Sequence, residues 1–149
     1  MSLDVDVTSV GTRTALAKAR IVDIVQATLR SEKVRNALVS VTLVDKRAIA
    51  RLNKERLGHA GPTDVISFGF TRSSPADPVI GDIYICPEVA AENARAHGQS
   101  IRREVARLVV HGTLHVLGHD HPVGDGRESS AMWRRQERLV ARLTGASST

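Results

Sequence analysis

Apolar and polar side chains alternate from Leu3 to Val10, the period of a half-buried strand. From about Thr12 to Arg30 the period lengthens. Leu16, Ile21, Ile24, Val25 and Leu29 can share one face with Lys18, Arg20 and Arg30 outside it, which predicts an amphipathic helix. Val39 to Val44 is β-rich and predicts a strand. Asp45 is then placed to cap a short helix through Leu52. The run Gly58-His59-Ala60-Gly61-Pro62 is a breaker-rich loop. Thr63 to Phe68 and Val79 to Cys86 read as two strands joined by a polar loop, a hairpin-like and therefore antiparallel pair.

Pro87 suits the first position of a helix that Gly98 ends. Ser100 can cap the next helix, about Ile101 to Leu117. Asp125 and Glu128 have the spacing of a capping box for a last helix, about Arg127 to Leu143, followed by Gly145. The tail from Ala146 to Thr149 is expected to fray. Strands interleaved with helices predict an α/β (α+β) fold. Residues 1–149 are expected to form a single domain, a small mixed sheet of about four strands packed with about five helices.

Composition narrows the functional classes. A chain of 149 residues is long enough to bury about two-thirds of its unfolded surface without staples. With 42% hydrophobic and 25% charged residues it is ordinary for a globular protein and not disordered. The single cysteine, Cys86, excludes an intramolecular disulfide and a Cys-cluster metal site, and reads as a buried strand residue in a reducing compartment. Trp133, Tyr84, Phe68 and Phe70 are too few for a stacking platform on single strands. A net charge of +5 and a pI near 10.1 suit a polyanionic partner. The start is acidic and alternating, unlike a signal peptide, and no apolar run approaches the ~20 residues of a membrane span. The expectation is a soluble cytoplasmic protein with no membrane contact.

The chemistry concentrates between His111 and His121. His111 and His115 stand at i and i+4, which on a helix puts both imidazoles on one face, one turn apart. Ile101, Val105, Leu108, Val109 and Val116 form the apolar stripe of that helix, so both histidines fall on its shoulder and should be half-buried. Gly118 allows a left-handed turn, after which His121 can fold back towards the first two. Three imidazoles with one position open is the pattern of a catalytic zinc site, one Zn2+ per chain. Asp120 is placed to orient a ligand imidazole from behind. His119 reads as an exposed surface residue, and His59 and His97 as solvated loop or helix-end residues, His97 favourable at a helix C-terminus.

His111, His115, Gly118 and His121 also match the spacing of the metzincin zinc proteases. The general-base glutamate of that motif is here Gly112, which cannot take a proton. A metzincin-like zinc peptidase is therefore the disfavoured alternative.

A second distinctive region runs from Leu52 to Arg56 and from Pro62 to Phe68. With Gly81 to Ile83 and the histidine motif, it resembles the YbeY family of zinc-dependent bacterial endoribonucleases of ribosomal RNA maturation. Glu55 replaces an aromatic residue of the family pattern, Ile66 and His119 replace leucine and tyrosine, and Pro122 stands where an acidic residue often follows. The resemblance implies that His111, His115 and His121 hold zinc and that Arg56 is the functional arginine. Arg56 precedes a Gly-bounded loop, and its guanidinium is the natural bidentate partner of a phosphate.

Other residues keep two readings each. Asp64 supports the site or makes a local turn bond. Glu104 lies two turns before His111, and either supports the site or serves as an acid at a helix start. Arg134, Arg138 and Arg142, with Arg127 and Arg135 nearby and Arg102, Arg103 and Arg107 on the histidine helix, make a basic surface that is a path for RNA if it borders the metal. The expected function is thus a metal-dependent hydrolase, a single-strand endoribonuclease acting on ribosomal RNA precursors at the ribosome or its small subunit. Metal-bound hydroxide, Asp64 or the substrate 2′-hydroxyl could supply the nucleophile chemistry. A non-catalytic ribosome-assembly factor stabilised by zinc is the other alternative.

Overall fold

In the computed structural model of the protein, which describes residues 2–119 and 130–145, nine elements follow one another. They are β1 (Ser2–Val10), α1 (Lys18–Ser31), β2 (Asn36–Val44), α2 (Lys46–Leu57), β3 (Val65–Gly69), β4 (Val79–Ile85), α3 (Pro87–Ala96), α4 (Ile101–Val116) and α5 (Ala131–Thr144). The sheet has the order β1-β2-β4-β3. β1 and β4 both run parallel to β2, and β3 runs antiparallel to β4. It is a mixed sheet with five helices, as the alternation of periods predicts.

Strand alternation divides the apolar side chains between two faces. Val39, Val41 and Leu43 of β2 and Ile83 and Ile85 of β4 join the main core with Ile21, Ile24 and Leu29 of α1, Val105 and Val109 of α4 and Val140 of α5. Val44, Ile66 and Cys86 form a smaller cluster with Ile49 of α2 on the other side. On the edge strand β1, Leu3, Val5 and Val7 are half-buried and Asp4 and Asp6 face out, which keeps that edge charged.

The caps predicted at Asp45 and Ser100 hold. The side chains of Asp45 and Ser100 accept from the backbone N–H groups of Ala48 and Arg103, at 2.9 and 3.1 Å. β2 begins at Asn36, ahead of the predicted Val39, β3 spans Val65–Gly69 where Thr63 to Phe68 is predicted, and three helix boundaries differ. α1 starts at Lys18, not near Thr12, because Thr14 Oγ1 accepts from the Leu16 N–H at 3.2 Å and turns the chain locally. α2 continues past Leu52 to Leu57, where Gly58 at φ 70° ends it, so Arg56 sits on the last helical turn. α5 starts at Ala131, with Ser130 accepting from the Trp133 N–H at 3.1 Å. The predicted box residues Asp125 and Glu128 lie outside the described residues.

α4 runs through the middle of the main core and packs on α1, α3, α5, β3 and β4. It approaches the sheet closely at Gly112. A Cβ at that position would lie 2.8 Å from Ile83 Cγ2. Among the described residues, no helix is long and apolar enough to cross a membrane.

Candidate metal centre

The C-terminal turns of α4 carry His111 and His115. Their rings meet edge to face, with centroids 4.5 Å apart and an interplanar angle of 74°. Both are half-buried, as their position on the shoulder of the apolar stripe predicts. The helix then reverses through a Schellman turn. The His119 N–H reaches Leu114 O at 3.0 Å, the Gly118 N–H reaches His115 O at 2.9 Å, and Gly118 takes φ 95°. His121 and Asp120 lie outside the described residues. Among the described residues, no three His, Cys, Asp or Glu side chains converge on a metal position. The two imidazoles are of the donor type that a nitrogen-preferring metal takes, and could supply part of such a donor set.

Gly112 explains why the peptidase motif is incomplete. Its open side is filled by Ile83, so a longer side chain would have to displace the Ile83 side chain from the core. The glycine is there for packing.

His111 is held from behind by a residue the sequence reading did not single out. Gln136 on α5 is buried, and its Oε1 lies 2.6 Å from His111 Nδ1. Its Nε2 donates to Glu137 Oε2 at 3.0 Å. Glu137 in turn takes a two-pronged contact from Arg107, Nε to Oε2 at 2.9 Å and Nη2 to Oε1 at 3.2 Å. A signal existed. Met132, Gln136, Leu139 and Val140 are the buried residues of α5, so Gln136 is an amide in an otherwise apolar stripe.

A cavity of about 490 Å³ opens beside His111, lined by Asp64, His97, Glu104, Arg107 and Gln136 among others. Glu104 lies in the first turn of α4, as an acid at a helix start, and it lines this cavity while accepting from Arg107 at 2.8 Å. Burial pushes its carboxyl pKa up, against the pull of Arg107. Burial also raises that of Glu137, but the hydrogen bonds from Arg107 and Gln136 outweigh it and hold the group below the usual range. Asp64 takes a 3.2 Å hydrogen bond from Asn93 Nδ2 and forms part of the cavity wall. His97 caps α3 with Nδ1 2.8 Å from Asn93 O, and His59 is exposed.

Arg56 is exposed, with its guanidinium carbon 5.5 Å from the centre of the Phe68 ring, and it does not line the His111 cavity. His119 departs from its expected exposure. It is half-buried, with Nε2 2.5 Å from Glu32 Oε1, while Arg135 Nη1 lies 2.5 Å from the other oxygen of the same carboxylate. Glu32, at the end of α1, thereby ties the end of α4 to α5.

The expected basic surface is also divided. Arg107 is drawn into the Glu104 and Glu137 network, Arg135 pairs with Glu32, and Arg103 donates to Thr144 Oγ1 at 3.2 Å. Arg134, Arg138 and Arg142 are exposed on α5, and none of them lines the His111 cavity. Arg127 lies outside the described residues. Cys86 is fully buried, and burial pushes its thiol pKa up, as befits an inert core residue.

The chain is similar to known proteins over most of its length. The family model described as Endoribonuclease YbeY matches residues 5–144. An Endoribonuclease YbeY of Kineococcus radiotolerans is 43% identical over 111 residues, which cover 70% of this chain and 63% of that protein. That match thus spans less than two thirds of the Kineococcus protein. An Endoribonuclease YbeY of Carboxydothermus hydrogenoformans is 42% identical over 113 residues, covering 76% and 77%. The solution structure of TM1509 from Thermotoga maritima matches with a TM-score of 0.61 at 26% identity, covering 95% of this chain and 90% of that one.

Proposed function

Because the chain belongs to the endoribonuclease YbeY family, we propose that it is a zinc-dependent endoribonuclease in which His111, His115 and His121 hold the metal. Its substrate is single-stranded RNA of ribosomal precursors. It works in the cytoplasm, at the ribosome or its small subunit, with the whole chain acting as one hydrolase domain. The observation that carries the reading is the pair of imidazoles on one face of α4, 4.5 Å between centroids, with His111 braced by a buried amide.

Bound zinc supplies Lewis-acid polarisation of a phosphate oxygen and lowers the pKa of water. The chain's own groups do the rest. Gln136 Oε1 faces His111 Nδ1, so the other ring nitrogen is the one that would meet the metal. Arg56, exposed at the end of α2, binds the phosphate and offsets the charge that builds up on it. The Phe68 ring beneath the guanidinium limits its freedom and leaves its edge donors for phosphate.

The test is cleavage of a labelled single-stranded fragment of ribosomal RNA, with and without chelator, beside Arg56→Ala and His115→Ala. Loss of cleavage with chelator and in both variants is the expected result. Proteolysis of casein by the same preparation would support the peptidase instead. Stoichiometric zinc without cleavage of free or ribosome-bound RNA would point to a zinc-stabilised assembly factor. A 2′,3′-cyclic phosphate product would identify the substrate 2′-hydroxyl as the nucleophile.

A further inference from the structure

We propose that Gln136 is a positioning residue for the metal centre, fixing His111 as the Nδ1–H tautomer and so dedicating Nε2 to the metal. This rests on the reading of His111 as a ligand.

The argument is one of donors and acceptors. A neutral imidazole has one N–H and one lone pair, and the partner of one nitrogen decides which is which. Gln136 could in principle offer His111 either end of its amide. Glu137 removes the choice. Both of its oxygens take hydrogen bonds from Arg107, at 2.9 and 3.2 Å, so the carboxylate is clamped in its ionised, acceptor-only form. The Gln136 atom facing it at 3.0 Å must therefore be the donor, Nε2. Oε1 is left facing His111 at 2.6 Å, and an amide oxygen only accepts. The proton of His111 then sits on Nδ1.

Gln136 cannot readily turn away, because it is 1% exposed and packed in the apolar stripe of α5. Reversing it would set its Oε1 against the Glu137 carboxylate, two acceptors together inside the protein, and would turn its N–H groups towards the N–H of the Nδ1–H tautomer on the other side. The chain Arg107–Glu137–Gln136–His111 thus carries orientation from a salt bridge to the metal-facing ring, crossing from α4 to α5 and back. Such outer partners typically set metal affinity by about 10–100-fold.

The test uses the full-length chain, first stripped of metal. Zinc affinity is measured by competition with a chromophoric chelator for wild type, Gln136→Leu and Gln136→Glu. Gln136→Leu keeps the bulk and loses the acceptor, and is expected to bind zinc about 10–100-fold more weakly. Gln136→Glu keeps an acceptor towards Nδ1 but loses the donor that meets Glu137, and is expected to recover only part of that loss. In parallel, the ¹⁵N pattern of the His111 ring in metal-free wild type, above the imidazole pKa, reports the tautomer directly. The expected pattern has the proton on Nδ1.

A proton on Nε2 overturns the proposal whatever the variants do. Unchanged zinc affinity in a folded Gln136→Leu variant also overturns it and leaves the metal reading standing. A wild type that takes up no zinc sinks the metal reading itself. Should Gln136→Leu fail to fold, the tautomer in the wild type still decides.

Discussion

Arg107 and Glu137 face each other from α4 and α5 through two hydrogen bonds, of 2.9 and 3.2 Å, with the arginine also holding Glu104 at 2.8 Å. One guanidinium thus serves two carboxylates whose proton affinities move apart, Glu104 up by burial and Glu137 down once its partners outweigh burial.

Glu137 gives stability a definite pH dependence. Unfolded, it titrates near its ordinary value of 4.5, and folded it titrates lower. Between the two values the folded state binds fewer protons, so stability rises with pH there. The contribution is fully present above the ordinary value and is lost as pH falls through the folded one. Glu137→Gln is expected to lower stability at neutral pH by ~1–3 kcal/mol. In urea melts over a pH series, its difference from wild type should shrink on acidification below the ordinary carboxylate range. A difference independent of pH would contradict the assignment.

Gly112 is expected to tolerate no side chain. Alanine there would gain up to ~1 kcal/mol of helix propensity. Its Cβ would also meet Ile83 Cγ2 at 2.8 Å, and overpacking of this kind costs ~1–3 kcal/mol. Gly112→Ala should lower the melting temperature, and should cost less in an Ile83→Ala background, where the Cγ2 methyl is gone. Simple addition of the two single effects would show that the contact is not the cause.

The Glu32 carboxylate, tied to His119 and Arg135, should matter more than any one of its partners. Glu32→Leu leaves both donors without their acceptor, and a loss of ~1–3 kcal/mol is expected in thermal or chemical melts. His119→Ala and Arg135→Ala should each cost less. Their combination with Glu32→Leu should fall short of the sum, because all three remove the same tie.

Arg56 should separate stability from activity. Its side chain is exposed, so Arg56→Ala and Arg56→Lys should melt as wild type does. In single-turnover cleavage the alanine variant should lose about 10²–10³-fold, the usual cost of a lost transition-state donor. Lysine keeps the charge but not the forked donor geometry, and should recover only part. Full activity of Arg56→Lys would mean that charge alone is read.

What the sequence determined by itself was what depends on near neighbours in the chain. Asp45 and Ser100 are caps because a short polar side chain reaches an N–H three residues on. The β3–β4 hairpin follows from two β-rich runs with a polar loop between them. His111 and His115 meet because helical geometry places every fourth residue above the last. Only the tertiary structure decided what crosses between elements. Arg107 read as part of a basic face and became the clamp of Glu137, because α5 brings a carboxylate against α4. His119 read as exposed and is tied to Glu32, more than eighty residues earlier in the chain. Gln136, which reads in sequence as one more polar residue near the C-terminus, lies behind His111 because two helices pack there. Local periodicity carries no information about which faces meet, and a buried hydrogen bond between distant residues exists only once they do.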